Sequence, residues 1–174
     1  MFLETKRLII RKFRDEDFDD FCDFAMDDEM SRMMGRGLLH TRADARLTFT
    51  WLKNREKRGY ALVLKETGRV IGNLTVTQVP RFEEALRHLE GFEGRSLSYA
   101  ISRHHRRQGL MEEAVRAVID ALFAEGFDYI ECGSFDFNTA SAALQKKLGF
   151  EYLATERFDM DGELRTAIEC ILWK

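Results

Sequence analysis

The segment from Leu97 to Glu125 restricts the fold of this chain more than any other. Leu97 to Ser102 reads as a strand. Leu110 to Glu125 reads as a helix, because Met111, Ala114, Val115, Val118, Ile119 and Leu122 form one apolar stripe and Gly126 supplies a stop. The junction reads Arg103, His104, His105, Arg106, Arg107, Gln108, Gly109: three arginines, two histidines and no acid, passing through a glycine into a helix start. A helix start presents unpaired N–H groups and about half a positive charge, and a glycine lets a ligand come close to the backbone. Strand, basic turn, glycine and helix together describe a phosphate seat.

The flanking sequence predicts a mixed α/β pattern. Leu8 to Phe13 is a short strand with a Leu8, Ile9, Ile10 run, and a helix capped by Asp15 follows, with Phe18, Phe21, Cys22 and Ala25 at helical spacing. Nine acids and no base lie between Asp15 and Glu29, which reads either as a solvated face with a favourable dipole or as a surface attracting a cationic substrate. Thr41 and Asp44 mark a second helix start, with Leu47, Trp51 and Leu52 on its apolar face and Gly59 as its end. Tyr60 to Lys65 and Val70 to Val79 flank Glu66-Thr67-Gly68-Arg69 as a hairpin. Pro80 to Gly94 is a connection in which Phe82, Ala85, Leu86 and Leu89 fit a short amphipathic helix. Tyr129 to Phe135 is a strand, and Thr139 to Leu148 a helix with Asn138 or Thr139 as cap and Gly149 as stop. A last hairpin pairs Phe150 to Phe158 with Leu164 to Trp173 across Asp161-Gly162, with Thr166, Ile168, Cys170 and Leu172 alternating against Arg165 and Glu169.

Composition sets the outer limits. At 174 residues, with 45% apolar and 33% charged residues and one proline, the chain is expected to be one globular domain spanning residues 1–174. Its formal charge of −3 disfavours a surface that tracks nucleic acid, so an anion site must be local. No apolar run suggests a signal peptide or a membrane span, which leaves a cytoplasmic protein without a membrane partner as the expectation. Cys22, Cys132 and Cys170 lie far apart, and the four histidines show no ligand spacing toward them, so neither a disulfide framework nor a metal site is expected. A Walker loop and a dinucleotide glycine motif are both missing.

Leu97-Ser98-Tyr99-Ala100-Ile101 followed by Arg106-Arg107-Gln108-Gly109-Leu110-Met111-Glu112-Glu113-Ala114 resembles the acetyl-coenzyme A signature of the GCN5-related N-acetyltransferases (GNAT). Asn138, Ser141, Leu144, Lys147, Leu148, Gly149 and Phe150 fit a second motif of that family, in the same order. Thr5 to Arg11 and the acids Asp15 to Asp17 are similar to the branch that acetylates ribosomal-protein N-termini. The resemblance implies an α/β (α+β) fold with a mixed, mostly antiparallel sheet of about seven strands and about four helices. It implies acetyl-CoA as co-substrate and an amine as acceptor. The backbone of Arg107, Gln108, Gly109, Leu110 and Met111, beside Arg106, would hold the pyrophosphate; Tyr99, Ala100 and Ile101 would pair with the pantetheine arm; Asn138 and Ser141 would contact that arm from the next helix. Met111 stands where the motif has Gly or Ala, Arg107 where this branch usually has Gly, and Gln145 where the family often has the tyrosine that returns a proton to the thiolate.

Acyl transfer from a thioester to an amine needs a neutral amine, a stabilised oxyanion and a protonated leaving thiolate. An alkyl ammonium with a pKa near about 10 must first lose its proton. Glu131 is the candidate base, and Ser134 and Tyr99 replace the missing tyrosine as candidate acids. Transfer is expected to be direct, within a ternary complex. A noncatalytic acyl-CoA sensor and an anion or nucleic-acid module are the competing classes, and Phe82 to Phe92 is a candidate homodimer surface.

Overall fold

The computed structural model describes residues 1–35, 37–54, 59–79, 89–160 and 162–174. The order of elements is β1 (Leu3–Glu4), β2 (Leu8–Arg11), α1 (Phe18–Ala25), α2 (Asp28–Met33), α3 (Arg42–Lys53), β3 (Gly59–Leu64), β4 (Val70–Gln78), β5 (Gly94–Ile101), α4 (Leu110–Ala124), β6 (Tyr129–Phe135), α5 (Thr139–Leu148), β7 (Glu151–Met160) and β8 (Glu163–Trp173). The strands follow the order β1-β2-β3-β4-β5-β6-β8-β7. The fold is α+β with a mixed sheet, and the chain forms two compact units, Met1–Val76 with Tyr99–Val118 and Thr77–Ser98 with Ile119–Lys174.

In the first unit β2 pairs antiparallel with β1 and β3, and β3 with β4. Leu8 and Ile10 are fully buried, as alternation on β2 demands. The core is aromatic: Phe21 and Phe49 meet Phe13, Phe18 and Phe24 at centroid distances of 5.3 to 6.0 Å, mostly edge to face. Helix α1 turns Phe18, Phe21, Phe24 and Ala25 inward, and α3 opposes them with Ala45, Phe49 and Leu52. Thr41 and Asp44 form the expected capping box, each side chain bonding to the other's backbone N–H.

Most acids of the first helical stretch are committed within the unit. Asp15 meets Lys53 at 2.5 Å, Asp17 meets Arg11 at 2.7 Å, Asp19 meets Arg42, and Asp20 and Asp23 share Arg69. Asp27 pairs with Arg103 at 3.3 Å and Glu29 with Arg106 at 3.0 Å. This favours the solvated-face reading over attraction of a cationic substrate.

In the second unit the parallel ladder between β5 and β6 matches Gly94 with Tyr129, Arg95 with Ile130 and Ser96 with Glu131. Strand β8 pairs antiparallel with β6 from Tyr129↔Trp173 to Phe135↔Ala167, and with β7 on its other edge.

Several expectations need correction. The described residues hold eight strands and five α-helices rather than about seven and four. Strand β1 has two residues, too short for a period to register, and the first helix divides where Asp27 caps a new one by accepting from Met30 N at 3.0 Å. Asp15 sits in a 3-10 turn and caps nothing, while Asp17 accepts from Arg14 N. Gly59 opens β3 rather than ending α3, which stops at Lys53. On β8 the buried residues are Ala167 and Ile171, on the face of Arg165 and Glu169, because Ile171 packs with Leu89 and Tyr129. The expected helix over Phe82 to Leu86, most of the candidate dimer surface and the turn residue Asp161 lie outside the described residues. Among the described residues no helix is long and apolar enough to cross a membrane.

Candidate active site

The first unit carries the candidate phosphate seat. After β5 the chain makes a 3-10 turn over Arg103–His105 and then a turn whose geometry glycine usually supplies: Arg107 has φ +59° and Gly109 φ +72°. Arg107 is the one non-glycine residue with positive φ among the described residues. The left-handed region costs an ordinary residue about 1–2 kcal/mol, a penalty that glycine escapes. Arg107, Gln108 and Gly109 are exposed, whereas Leu110 and Met111 are buried. Met111 therefore lies on the apolar stripe of α4 with Ala114, Val115 and Val118 instead of over the turn. An exposed turn without a side chain at Gly109, leading into a helix start, has the geometry to receive a phosphate-bearing anion.

Immediately upstream, Tyr99 and Ile101 are half-buried and Ala100 is buried at the end of β5. A Cβ on Gly72 would lie 2.3 Å from Ala100 O, and Ser102 N donates to Ile71 O at 2.8 Å, so β4 lies close along this part of β5. Arg7 and Glu113 close the loop from below: Glu113 accepts from Thr5 Oγ1 at 2.6 Å, Arg7 N at 2.7 Å and Arg7 Nε at 2.7 Å, and Arg7 Nη1 donates to Gln108 O at 2.8 Å. Burial alone would raise the Glu113 pKa, but these hydrogen bonds and the Arg7 charge hold it below the ordinary value.

The second unit carries the other named residues. Asn138 is the N-cap of α5, its Oδ1 accepting from Ser141 N at 3.2 Å. Gln145 is buried and donates to Ser141 Oγ and Cys132 Sγ, each at 3.3 Å, a packing role rather than a proton-transfer one. Cys132 is buried. Ser134 and Glu131 are both buried but lie on opposite faces of β6, since side chains alternate along a strand.

Glu131 has company that sequence reading missed. Register puts Gly133 opposite Glu169, Glu169 opposite Ala154, and Glu156 opposite Ala167, so Glu131, Glu169 and Glu156 share one face. Gly133 is exposed, and the Glu169 carboxylate folds into the space above it: a Cβ there would stand 2.3 Å from both of its oxygens. Among the described residues none of the three carboxylates has a hydrogen bond or a cation partner. Burial, then Glu169, then Glu156 push Glu131 up to about 7. Burial and Glu156 raise Glu169, and burial raises Glu156. A carboxylate in that range can take a proton near neutral pH, and the face attracts cations. No single-sequence signal marks Glu169 or Glu156, because only strand register brings them to Glu131. Among the described residues no group of three or more His, Cys, Asp or Glu side chains could hold a metal ion.

Comparison with known proteins identifies the family. Residues 7–151 match the acetyltransferase (GNAT) domain. The chain is 27% identical over 155 residues to the uncharacterized N-acetyltransferase p20 of Bacillus licheniformis, covering 86% of this chain and 82% of that one. An acetyltransferase of the GNAT family from Bacillus anthracis superposes with a TM-score of 0.83 at 19% identity, covering 99% of this chain and 98% of that one. The ribosomal-protein-S5-alanine acetyltransferase of Vibrio fischeri superposes at 0.73 and 18% identity, covering 99% and 96%. With a family match over residues 7–151, most of its length, the chain belongs to the GNAT acetyltransferase family.

Proposed function

We propose that the protein transfers an acetyl group from acetyl-CoA to a primary amine by direct attack in a ternary complex. The observation that carries this reading is the exposed left-handed turn at Arg107 and Gly109 entering the N-terminus of α4. The N–H groups from Arg107 to Met111 would bind the diphosphate, with Arg106 beside them. The backbone of Tyr99, Ala100 and Ile101 would pair with the amides of the pantetheine arm, one of its N–H groups polarising the thioester carbonyl. Asn138 and Ser141 would meet the arm from α5.

Glu131 is the proton acceptor in this reading. It is buried, faces two further carboxylates and titrates close to neutrality, which suits a base for an ammonium. Tyr99 and Ser134 are the hydroxyls available to the leaving thiolate, and Ser134 would act from the face of β6 opposite Glu131. The face formed by Glu131, Glu169 and Glu156 favours acceptors that arrive as cations, such as a protein N-terminus, a polyamine or a small alkyl amine. That the Vibrio fischeri neighbour is a ribosomal-protein-S5-alanine acetyltransferase supports trying an alanine-bearing ribosomal protein among the acceptors.

The test is a screen of amine pools with acetyl-CoA and a thiol-reactive dye. Thiol release that depends on both the protein and an amine is expected, with no acetyl adduct on Cys132 by mass spectrometry. Coenzyme binding without thiol release from any pool would instead identify a noncatalytic sensor.

A further inference from the structure

The phosphate seat is held from outside its own motif. Arg107 occupies the left-handed region, a conformation that an ordinary residue keeps only where neighbours enforce it, and Gly109 shares that region without steric cost. One neighbour is the fork of Arg7: Nε donates to Glu113 Oε2 at 2.7 Å while Nη1 donates to Gln108 O at 2.8 Å. Arg7 Nη2 stands 3.6 Å from the place a Gly109 Cβ would take. Glu113 in turn is fixed by Thr5 Oγ1 and Arg7 N, and its own N–H donates to Gly109 O at 3.1 Å. The N-terminal turn that supplies Thr5 and Arg7 is closed by Leu8 N donating to Thr5 Oγ1 at 3.0 Å and by Lys65 Nζ donating to Thr5 O at 2.7 Å.

The geometry has a directional consequence. A trans peptide is planar, with its C=O and N–H pointing in opposite directions. Arg7 holds the Gln108 carbonyl on its own side, so the Gly109 N–H points away from it. We propose that Arg7, locked by Glu113, is a positioning residue that aims the Gly109 N–H at the diphosphate of the co-substrate. This rests on the acetyl-CoA reading above. Glu113 has partners enough in Thr5 and the Arg7 N–H to tie the N-terminal turn to α4; the second prong of the fork, on Gln108 O, is the contact that reaches the loop. Lysine keeps the charge but has no planar fork, and cannot make both contacts in the same geometry.

The test compares two ligands by calorimetry on the full chain: coenzyme A, and S-acetylpantetheine, which lacks the diphosphate. Arg7→Lys and Glu113→Gln are each expected to weaken coenzyme A by roughly tenfold, the effect of one misaimed charge-assisted donor, while leaving S-acetylpantetheine within about twofold. Equal losses for both ligands would mean general loosening of the fold and would overturn the proposal, as would unchanged coenzyme A affinity in both variants. A wild-type protein that binds no coenzyme A would remove the acetyl-CoA reading itself and this proposal with it, a result visible before any variant is made.

Discussion

Replacing Glu131 with glutamine removes a charge that the fold keeps out of water beside two like charges. The carboxyl moves from its ordinary 4.5 to about 7, with burial as the largest cause, then Glu169 and Glu156. A group whose folded pKa is raised favours the native state below the unfolded value, and that advantage disappears as pH rises through the folded value. Carrying the carboxyl from 4.5 to about 7 therefore penalises the native state by on the order of 3 kcal/mol above pH 8, and by less than about 1 kcal/mol at pH 5. The residue is buried but its carboxyl lies on a partly solvated face, so screening makes that figure an upper bound. Urea denaturation of wild type and Glu131→Gln at pH 5 and pH 8.5 measures it. The variant is expected to be more stable by about 2–3 kcal/mol at the higher pH and nearly equal at the lower, while losing turnover because an amide cannot accept the proton of the amine. The wild-type rate should rise as pH increases through about 7. Stability curves that run parallel across this range would refute the reasoning.

Three further outcomes follow from named contacts. Phe21→Ala empties the centre of the aromatic cluster and is expected to cost roughly 3–5 kcal/mol in urea denaturation, since Phe21 is fully buried against Phe13, Phe24 and Phe49. Arg107→Gly exchanges left-handed strain of about 1 kcal/mol for a similar entropy cost and should hold the melting temperature within about 2 °C, whereas β-branched Arg107→Val should lower it by about 2–4 °C or more; equal melting points would contradict the turn geometry. Gly133→Ala forces the Glu169 carboxylate out of the space above the strand, so it should reduce turnover of a cationic amine with little change in coenzyme A affinity.

Most of the seat was legible because it is local. The strand, the basic turn, Gly109 and the α4 stripe lie within one stretch of sequence, and the caps at Thr41 and Asn138 depend on neighbours three residues away. What could not be read depends on distance along the chain. Arg7 and Glu113 are 106 positions apart. Glu169 reaches Gly133 only through the β6–β8 register, and an alternation read by residue type put the apolar face of β8 on the wrong side, because the inward face carries the half-buried Arg165 and Glu169 among its apolar residues. The charge pattern was misleading for the same reason. The acids from Asp15 to Glu29 and the arginines before α4 look like separate surfaces in sequence, yet Asp27 meets Arg103 and Glu29 meets Arg106. Among the described residues, Glu131, Glu169 and Glu156 on β6, β8 and β7 form a cluster of acids without a cation partner.

In the proposed function, the turn at Arg107–Gly109 seats acetyl-CoA. Gly109→Glu puts a carboxylate where a diphosphate would lie and a side chain at a φ of +72°. Titrating acetyl-CoA into wild type and Gly109→Glu by calorimetry, with the unliganded melting temperature of each confirming that it is folded, tests this claim most directly. Saturable binding to wild type that is lost in the folded variant is the predicted result, and binding of equal strength to both proteins would contradict it.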